Sequence, residues 1–282
     1  MSFTVVTVLH ESAVELPRLL RSIDAHLEPR PQVVVVDSGS TDGGPELARR
    51  AGAEVIELEG NPGFGAASNA GVRRARHEVT ALVNPDCELL DAGLAALAAR
   101  AAAGGALRVP RLLNADGSIQ RSAHPVPGRA TALLRAALPG PLLPQPHRAR
   151  RTRTVGWAIA ACLVARTELL ARLGPFDPDA FLFYEDLDLC LRARAAGVPT
   201  VLHPDVRVRH EGGRSTERAF GGEPFELQAR RRRAVVEARL GGRALRLDDA
   251  AQALTFGVRA AVNRERARNL AALKALRAAR RG

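Results

Sequence analysis

Four short apolar runs rich in β-branched residues, Thr4 to Leu9, Gln32 to Val36, Ala53 to Leu58 and Val79 to Val83, alternate with stretches of helical character. Leu16, Leu19, Leu20, Ile23 and Leu27 recur at helical spacing after the first run. Pro45 opens a helix through Arg50 after the second, and a helix from about Ala66 to Arg76 follows the third. Runs without polar alternation belong to strands buried on both faces. The pattern therefore predicts an α/β fold with a mostly parallel sheet flanked by helices. In such a sheet ligands bind in the crevice beyond the carboxyl ends of the strands. The residues at those ends bear most directly on function.

The fourth run stops at Asn84-Pro85, and Asp86 follows at once. A carboxylate set there by a rigid proline either grips a metal ion or polar ligand, or caps the helix that starts near Asp91. The second run ends in Asp37, ahead of the turn Ser38-Gly39-Ser40-Thr41-Asp42-Gly43-Gly44. Its glycines allow close backbone approach, and N–H groups between Asp37 and Asp42 suit a base or a ribose; the alternative is a plain turn capped by Asp37. Asn61-Pro62-Gly63-Phe64-Gly65 places small residues over a helix N-terminus, which fits a nucleotide or phosphate as well as it fits a structural turn. The first run is followed by His10-Glu11-Ser12-Ala13, with no GxGxxG fingerprint, and the only lysine is Lys274. A dinucleotide fingerprint and a P-loop are both excluded.

Further along, Leu94 to Ala102 reads as a helix and Asn114-Ala115-Asp116-Gly117 as a hairpin turn. Six prolines between His124 and His147 predict a long loop with one short helix at Ala130 to Leu138. Val155 to Ala165 reads as a strand and Leu169 to Leu173 as a helix turn. Phe181-Leu182-Phe183-Tyr184 then leads into Glu185-Asp186, the start of a helix closed by Gly197. A carboxylate against apolar rings can serve as a general base, although acids also favour any first helical turn. Pro199 to Leu202 is the last strand, and His203 and His210 bracket a further β-like stretch. Each histidine is either a metal ligand or a structural residue.

Hydrophobic residues make up 46% of the 282, enough for a full core. Cys87, Cys162 and Cys190 form no CxxC pair, which argues against a disulfide framework or a cysteine zinc site. The longest apolar run is too short to span a bilayer, and no signal-peptide pattern follows Met1, so a cytoplasmic location is expected. The net charge of +11 is concentrated at the end: Phe225 to Gly282 holds fifteen basic and five acidic residues. This predicts two parts, a domain over residues 1–224 and a basic helical extension over 225–282. The extension interleaves leucines and valines with arginines. It suits either an anionic membrane surface, with the protein peripheral on the inner face of the cell membrane, or packing on the protein and a homodimer seam. Nucleic acid is a weaker partner class, because only 4% of residues are aromatic.

In order, Asp37-Ser38-Gly39-Ser40-Thr41-Asp42-Gly43, Asn61-Pro62-Gly63-Phe64-Gly65 with Asn69-Ala70-Gly71, Leu82-Val83-Asn84-Pro85-Asp86, and Tyr184-Glu185-Asp186-Leu187-Asp188 closely resemble glycosyltransferase family 2, in its rhamnosyltransferase-like branch. The resemblance covers about Phe3 to Ser215. It implies a GT-A fold, a nucleotide-diphosphate sugar donor, a divalent metal (Mg2+ or Mn2+), inversion at the anomeric carbon and a cell-envelope glycan or lipid-linked acceptor. Carried over, Asp37 contacts the nucleobase, Asp42 supports the turn, and Asn69 lies along the nucleoside near Gly65. Asp86 and His210 meet the metal, Asp186 is the base with Glu185 as second choice, and Trp157 lines the acceptor side. Asn84-Pro85-Asp86 offers one carboxylate where relatives commonly have two; Glu88 either supplies the other or faces water. The reading that competes with an enzyme is a module of this kind that binds without turnover.

Overall fold

The computed structural model describes residues 1–129, 145–177, 182–212, 222–262 and 265–281. It divides into two compact units, Met1–Ala123 with His147–Ser215, and His124–Pro146 with Thr216–Gly282.

The first unit is built on one nine-stranded sheet. Strands β1 (Thr4–Leu9), β2 (Gln32–Asp37), β3 (Glu54–Glu57) and β4 (Val79–Val83) alternate with helices α1 (Leu16–His26), α2 (Gly44–Arg50) and α3 (Phe64–Arg74). All four strands run parallel, in the spatial order β3-β2-β1-β4. The chain moves outward from β1 to β3 and then returns to the other side of β1. The β1/β4 boundary is therefore the topological switch point at which such sheets open a ligand crevice.

Burial on both faces explains the unbroken apolar runs. Val5, Val33, Val35, Val79, Ala81 and Val83 join one core with α1 and with α4 (Gly93–Ala102). Val6 and Val36 face the other way, against α3, where a Cβ at Gly71 would stand 2.2 Å from Val6 Cγ1. A glycine is needed there because the helix backbone lies directly on the sheet.

The second half of this unit departs from the expected elements. The sequence pattern predicts neither β5 (Cys87–Leu89) nor β6 (Leu107–Leu113). Pro110 disguises β6. It is tolerated because the register with the neighbouring strand shifts immediately beyond it, between His203 and Arg207. The single strand expected over Val155 to Ala165 is three short ones, β8 (Arg153–Val155), β9 (Trp157–Ala158) and β10 (Cys162–Arg166). Only β8 and β10 belong to the main sheet; β9 and β7 (Ala123–His124) form a separate two-stranded ribbon. After α5 (Thr167–Leu173) and α6 (Glu185–Ala195), the two β stretches around His203 prove to be one strand, β11 (Thr200–His210). Helix α3 starts two residues earlier than its alanines indicate, and the helix expected at Ala130 to Leu138 lies outside the described residues.

Strand direction gathers the chemistry at one edge. β10 is antiparallel to both β4 and β6, and β11 is parallel to β6. The carboxyl ends of β1, β2, β3, β4, β6 and β11 therefore share one edge. Helix α6 leads into β11 through Gly197 at the opposite edge, so its first residues, Glu185 and Asp186, stand on the same side as those carboxyl ends.

The C-terminal part of the second unit is helical where it is described. Helix α7 (Phe225–Ala261) is broken at Gly241, whose φ of 82° and ψ of 167° are readily reached only by glycine, and α8 (Arg266–Ala279) follows. The break lets α7 fold on itself. Arg232 grips Asp248 with two hydrogen bonds of 2.8 Å, Arg233 pairs with Asp249, and both carboxylates are buried. No described helix is long and apolar enough to cross a membrane.

Candidate active site

Asp37 ends β2 almost fully buried, and its carboxylate accepts the Ser40 N–H at 3.1 Å, which ties the turn back onto the strand. Asp42 closes the same turn from its far side, accepting the Ala13 N–H at 2.7 Å and the Gly44 N–H at 3.1 Å. A third acid, not singled out in the sequence, completes the loop. Glu11 takes a left-handed φ of 50°, donates its N–H to Ser40 Oγ (3.1 Å) and accepts from the Thr41 N–H at 2.8 Å. The rule that pointed to Asp37 and Asp86, a carboxylate just past a strand end, would have found Glu11 beyond β1. Gly39 (φ 72°) leans on the neighbouring loop, where a Cβ would stand 3.0 Å from the Gly60 carbonyl oxygen.

Gly65 is buried in the first turn of α3. Asn69, one turn further, is held by the segment after α5: its Nδ2 donates to the Phe176 carbonyl at 2.8 Å, and its Oδ1 accepts the Phe176 N–H at 3.0 Å. Phe64 meets the Phe176 ring edge-on at 5.6 Å. In this structure Asn69 is a clasp between two segments of the unit.

Asp86 lies beside the end of β11. The antiparallel register pairs His210 with Cys87, so the residue before Cys87 faces the residues after His210. Its Oδ2 accepts the Gly212 N–H at 2.9 Å, its backbone carbonyl accepts the Glu211 N–H at 3.2 Å, and its Oδ1 stands 3.4 Å from His210 Nε2. Burial alone would push the Asp86 carboxyl up. The hydrogen bond and charge of His210 together with the Gly212 N–H outweigh it, and the net shift is downward. On its other side the His210 ring meets Gln120, with Nδ1 2.9 Å from Oε1.

Glu88 neither joins Asp86 nor faces water freely: it is paired with Arg209 at 2.5 Å across the β5–β11 register. Glu211 is engaged by Arg18 of α1. Among the described residues, no three or more His, Cys, Asp or Glu side chains converge as a metal cage. His203 is a structural histidine, buried mid-strand, with its ring nitrogens each 3.1 Å from a guanidinium, Arg100 on one side and Arg108 on the other. Burial, then those two charges, pushes it down to about 4.

Glu185 and Asp186 open α6 after two consecutive left-handed residues, Phe183 (φ 70°) and Tyr184 (φ 62°). Non-glycine residues hold that conformation at a cost of about 1–3 kcal/mol, and such strain clusters at working sites. Asp186 Oδ1 accepts the Leu187 N–H at 2.6 Å. Asp188 has a plainer role, pairing with Arg192 at 2.7 Å while that arginine also donates to the Leu173 and Pro175 carbonyls. Trp157 is buried, with its ring 6.2 Å from that of Tyr184, immediately before the two acids.

With this geometry in place, known proteins are informative. Residues 4–135 match the family described as Glycosyl transferase family 2. An N-acetylglucosaminyl-diphospho-decaprenol L-rhamnosyltransferase of Mycobacterium tuberculosis is 30% identical over 239 residues, spanning 76% of this chain and 77% of that protein. The chain belongs to glycosyl transferase family 2. It is a nucleotide-sugar glycosyltransferase of rhamnosyltransferase-like type, and its fold is GT-A. Two solved structures share that fold at 18% identity. One is a mannosyltransferase of Pyrobaculum calidifontis with GDP-Man and Mn2+ (TM-score 0.60, covering 98% of this chain and 73% of that one). The other is GalNAc-T7 with UDP, GalNAc and Mn2+ (TM-score 0.61, covering 84% and 47%).

Proposed function

We propose that this glycosyltransferase moves a sugar, L-rhamnose in the favoured reading, from a nucleotide diphosphate to a cell-envelope glycan or lipid-linked acceptor, with inversion and with a divalent cation bound at Asp86 and His210. The observation that carries the reading is the Asp86–His210 pair at the strand-end edge. A carboxylate oxygen and an imidazole nitrogen stand 3.4 Å apart, and the remaining polar atom of each is already held by Gly212 or Gln120. The Asp86 carboxylate fits Mg2+ or Mn2+, hard cations that favour oxygen ligands and, in the case of Mg2+, bind through one or two carboxylates with water and substrate phosphates; the His210 nitrogen is a ligand that Mn2+ takes more readily than Mg2+. Such a cation neutralises the charge that develops on a departing diphosphate.

The chain's own residues supply the rest. The Asp37–Asp42 turn, braced by Glu11, offers a rigid rim for the nucleoside, and Gly65 in the first turn of α3 keeps that side free of bulk. Asn69 acts there through its clasp on Phe176. Asp186 takes the proton from the attacking hydroxyl, with Glu185 the second candidate. A sugar hydroxyl is a poor nucleophile at neutral pH, and a positioned carboxylate is the group that removes its proton as the bond forms. Trp157 backs the acceptor side. The tuberculosis relative, an N-acetylglucosaminyl-diphospho-decaprenol L-rhamnosyltransferase, supports a rhamnosyl donor and a lipid-linked acceptor.

The basic extension over residues 225–282 is proposed to bring the domain to a lipid-borne acceptor, with the protein peripheral on the inner membrane face. Its two buried acids, Asp248 and Asp249, are neutralised inside the unit, while Leu254, Val258, Val262 and Leu270 are exposed among arginines. The catalytic reading is tested by incubating the protein with a panel of nucleotide-diphosphate sugars and N-acetylglucosaminyl-diphospho-decaprenol, with and without Mn2+. Transfer that requires both Mn2+ and Asp86, and is lost in Asp86→Ala while the fold survives, is the expected result. Full activity of that variant with unchanged metal dependence would sink the assignment.

A further inference from the structure

We propose that Gln120 is a positioning residue that sets the tautomer of His210, and that the Asn114–Gln120 hairpin passes this orientation to the ring from Asp116. The metal role of the ring rests on the reading above. The relay itself rests only on hydrogen-bond polarity.

The chain of constraints begins at the hairpin tip. Asp116 Oδ1 accepts from the Ser118 N–H at 2.9 Å and from the Ser118 hydroxyl at 2.6 Å, contacts that also hold its carboxyl below the usual range. An ionised carboxylate can only accept, so the Ser118 hydroxyl proton is committed to it. Ser118 Oγ is then an acceptor for Asn114 Nδ2, at 2.8 Å, which turns Asn114 Oδ1 toward Gln120 Nε2, at 3.2 Å. That Nε2 also donates to the His210 carbonyl at 3.3 Å. With its amino group so placed, Gln120 presents Oε1 to His210 Nδ1 at 2.9 Å, and Nδ1 must carry the proton. The lone pair of neutral His210 therefore sits on Nε2, 3.4 Å from Asp86 Oδ1.

The backbone braces the same arrangement. The Gln120 N–H donates to the Leu112 carbonyl at 2.9 Å and the Asn114 N–H to the Ser118 carbonyl at 2.8 Å, so the amide is delivered from a closed hairpin. Gly212, at φ 68°, passes beside both groups, and a Cβ there would stand 3.4 Å from His210 Cε1 and 3.5 Å from Gln120 Nε2. The outcome is an electron-rich oxygen and an electron-rich nitrogen aimed at one another. A cation between them, a proton or a metal ion, relieves that contact. Partners behind a metal-binding imidazole fix its tautomer and orientation in this way, and their loss typically weakens metal binding about 10–100-fold.

The test uses the full chain labelled with 15N-histidine, free of metal, at a pH well above the imidazole range. Two-bond proton–nitrogen correlations should show His210 with its proton on Nδ1. Gln120→Leu should lose that preference, whereas Gln120→Glu should keep it, because a carboxylate in the same place still accepts from Nδ1–H. Asp116→Ala, an exposed change remote from the ring, should weaken the Nδ1–H preference only in part, because the His210 carbonyl still holds Gln120 Nε2, and should not unfold the protein. Mn2+ alone, titrated by electron paramagnetic resonance, should bind about 10–100-fold more weakly to Gln120→Leu and recover in Gln120→Glu. A wild-type His210 protonated on Nε2, or a Gln120→Leu variant with the wild-type tautomer, overturns the relay. The expected tautomers with no Mn2+ binding by any variant support the relay and overturn the metal reading instead.

Discussion

Replacing Gly71 with alanine tests how closely helix α3 is seated on the sheet beside the proposed donor loops. The added Cβ would stand 2.2 Å from Val6 Cγ1 and 3.1 Å from Val36 Cγ2. Carbon atoms settle at about 3.5–4.0 Å, so α3 has to lift from β1 by roughly 1 Å or more. Overpacking of this kind costs about 1–3 kcal/mol, and removing a glycine from a helix returns about 1 kcal/mol. A net loss of up to about 2 kcal/mol is expected. Gly257 in α7 provides the control, since a Cβ there meets nothing within 4 Å, and Gly257→Ala should stabilise the helical unit by about 0.5–1 kcal/mol. Urea denaturation followed by the fluorescence of Trp157, the only tryptophan, reads the first unit, and the part of the circular-dichroism transition that does not coincide with it reads the second. Because α3 also carries Gly65 and Asn69, nucleotide-sugar affinity should fall in Gly71→Ala and hold in Gly257→Ala. A Gly71→Ala protein as stable as wild type, with unchanged donor binding, would refute the close seating.

Other expectations follow from single sites. Asp186→Asn should leave donor affinity nearly unchanged and reduce kcat by at least about 10²-fold, the lower range for losing a general base; if Glu185→Gln is instead the inactive variant, the base is Glu185. His203 is held near 4 against an ordinary value of about 6.5, so its neutral form contributes stability above pH 6.5 that is lost as pH falls toward 4. The contribution lost by pH 5 is about 2 kcal/mol, and it should vanish in His203→Gln; an unchanged pH slope in that variant would contradict the placement of buried His203 between the two arginines. Asp248→Ala leaves Arg232 facing a buried gap and should destabilise the helical unit by about 3–5 kcal/mol, measured by the loss of helical signal in urea. Full-length protein should sediment with anionic vesicles at low salt and be released at high salt, with Leu254→Asp and Val258→Asp weakening the association; no binding at low salt would leave the extension a packing role.

The first four strands and three helices were legible because their reasons are local. Runs of valine and isoleucine with glycine- and proline-rich turns admit few other structures, and a carboxylate at a strand end is visible as such in Asp37 and Asp86. The sequence could also show an acidic pair at a helix start and a basic extension, since both depend on neighbours in the chain. What tertiary structure decided is everything that depends on partners far apart in sequence. Glu88 looked available for a metal until the β5–β11 register set Arg209 against it, and His203, readable as a metal ligand or a structural residue, was decided only when its strand placed it mid-sheet between two arginines. Pro110 hid β6 because the register shift that accommodates a proline exists only once β11 is in place. Gln120 carried no sequence signal at all. Its amide gains direction only where a hairpin, a strand end and the loop after β4 converge, and a hydrogen bond's polarity is a property of that three-dimensional network.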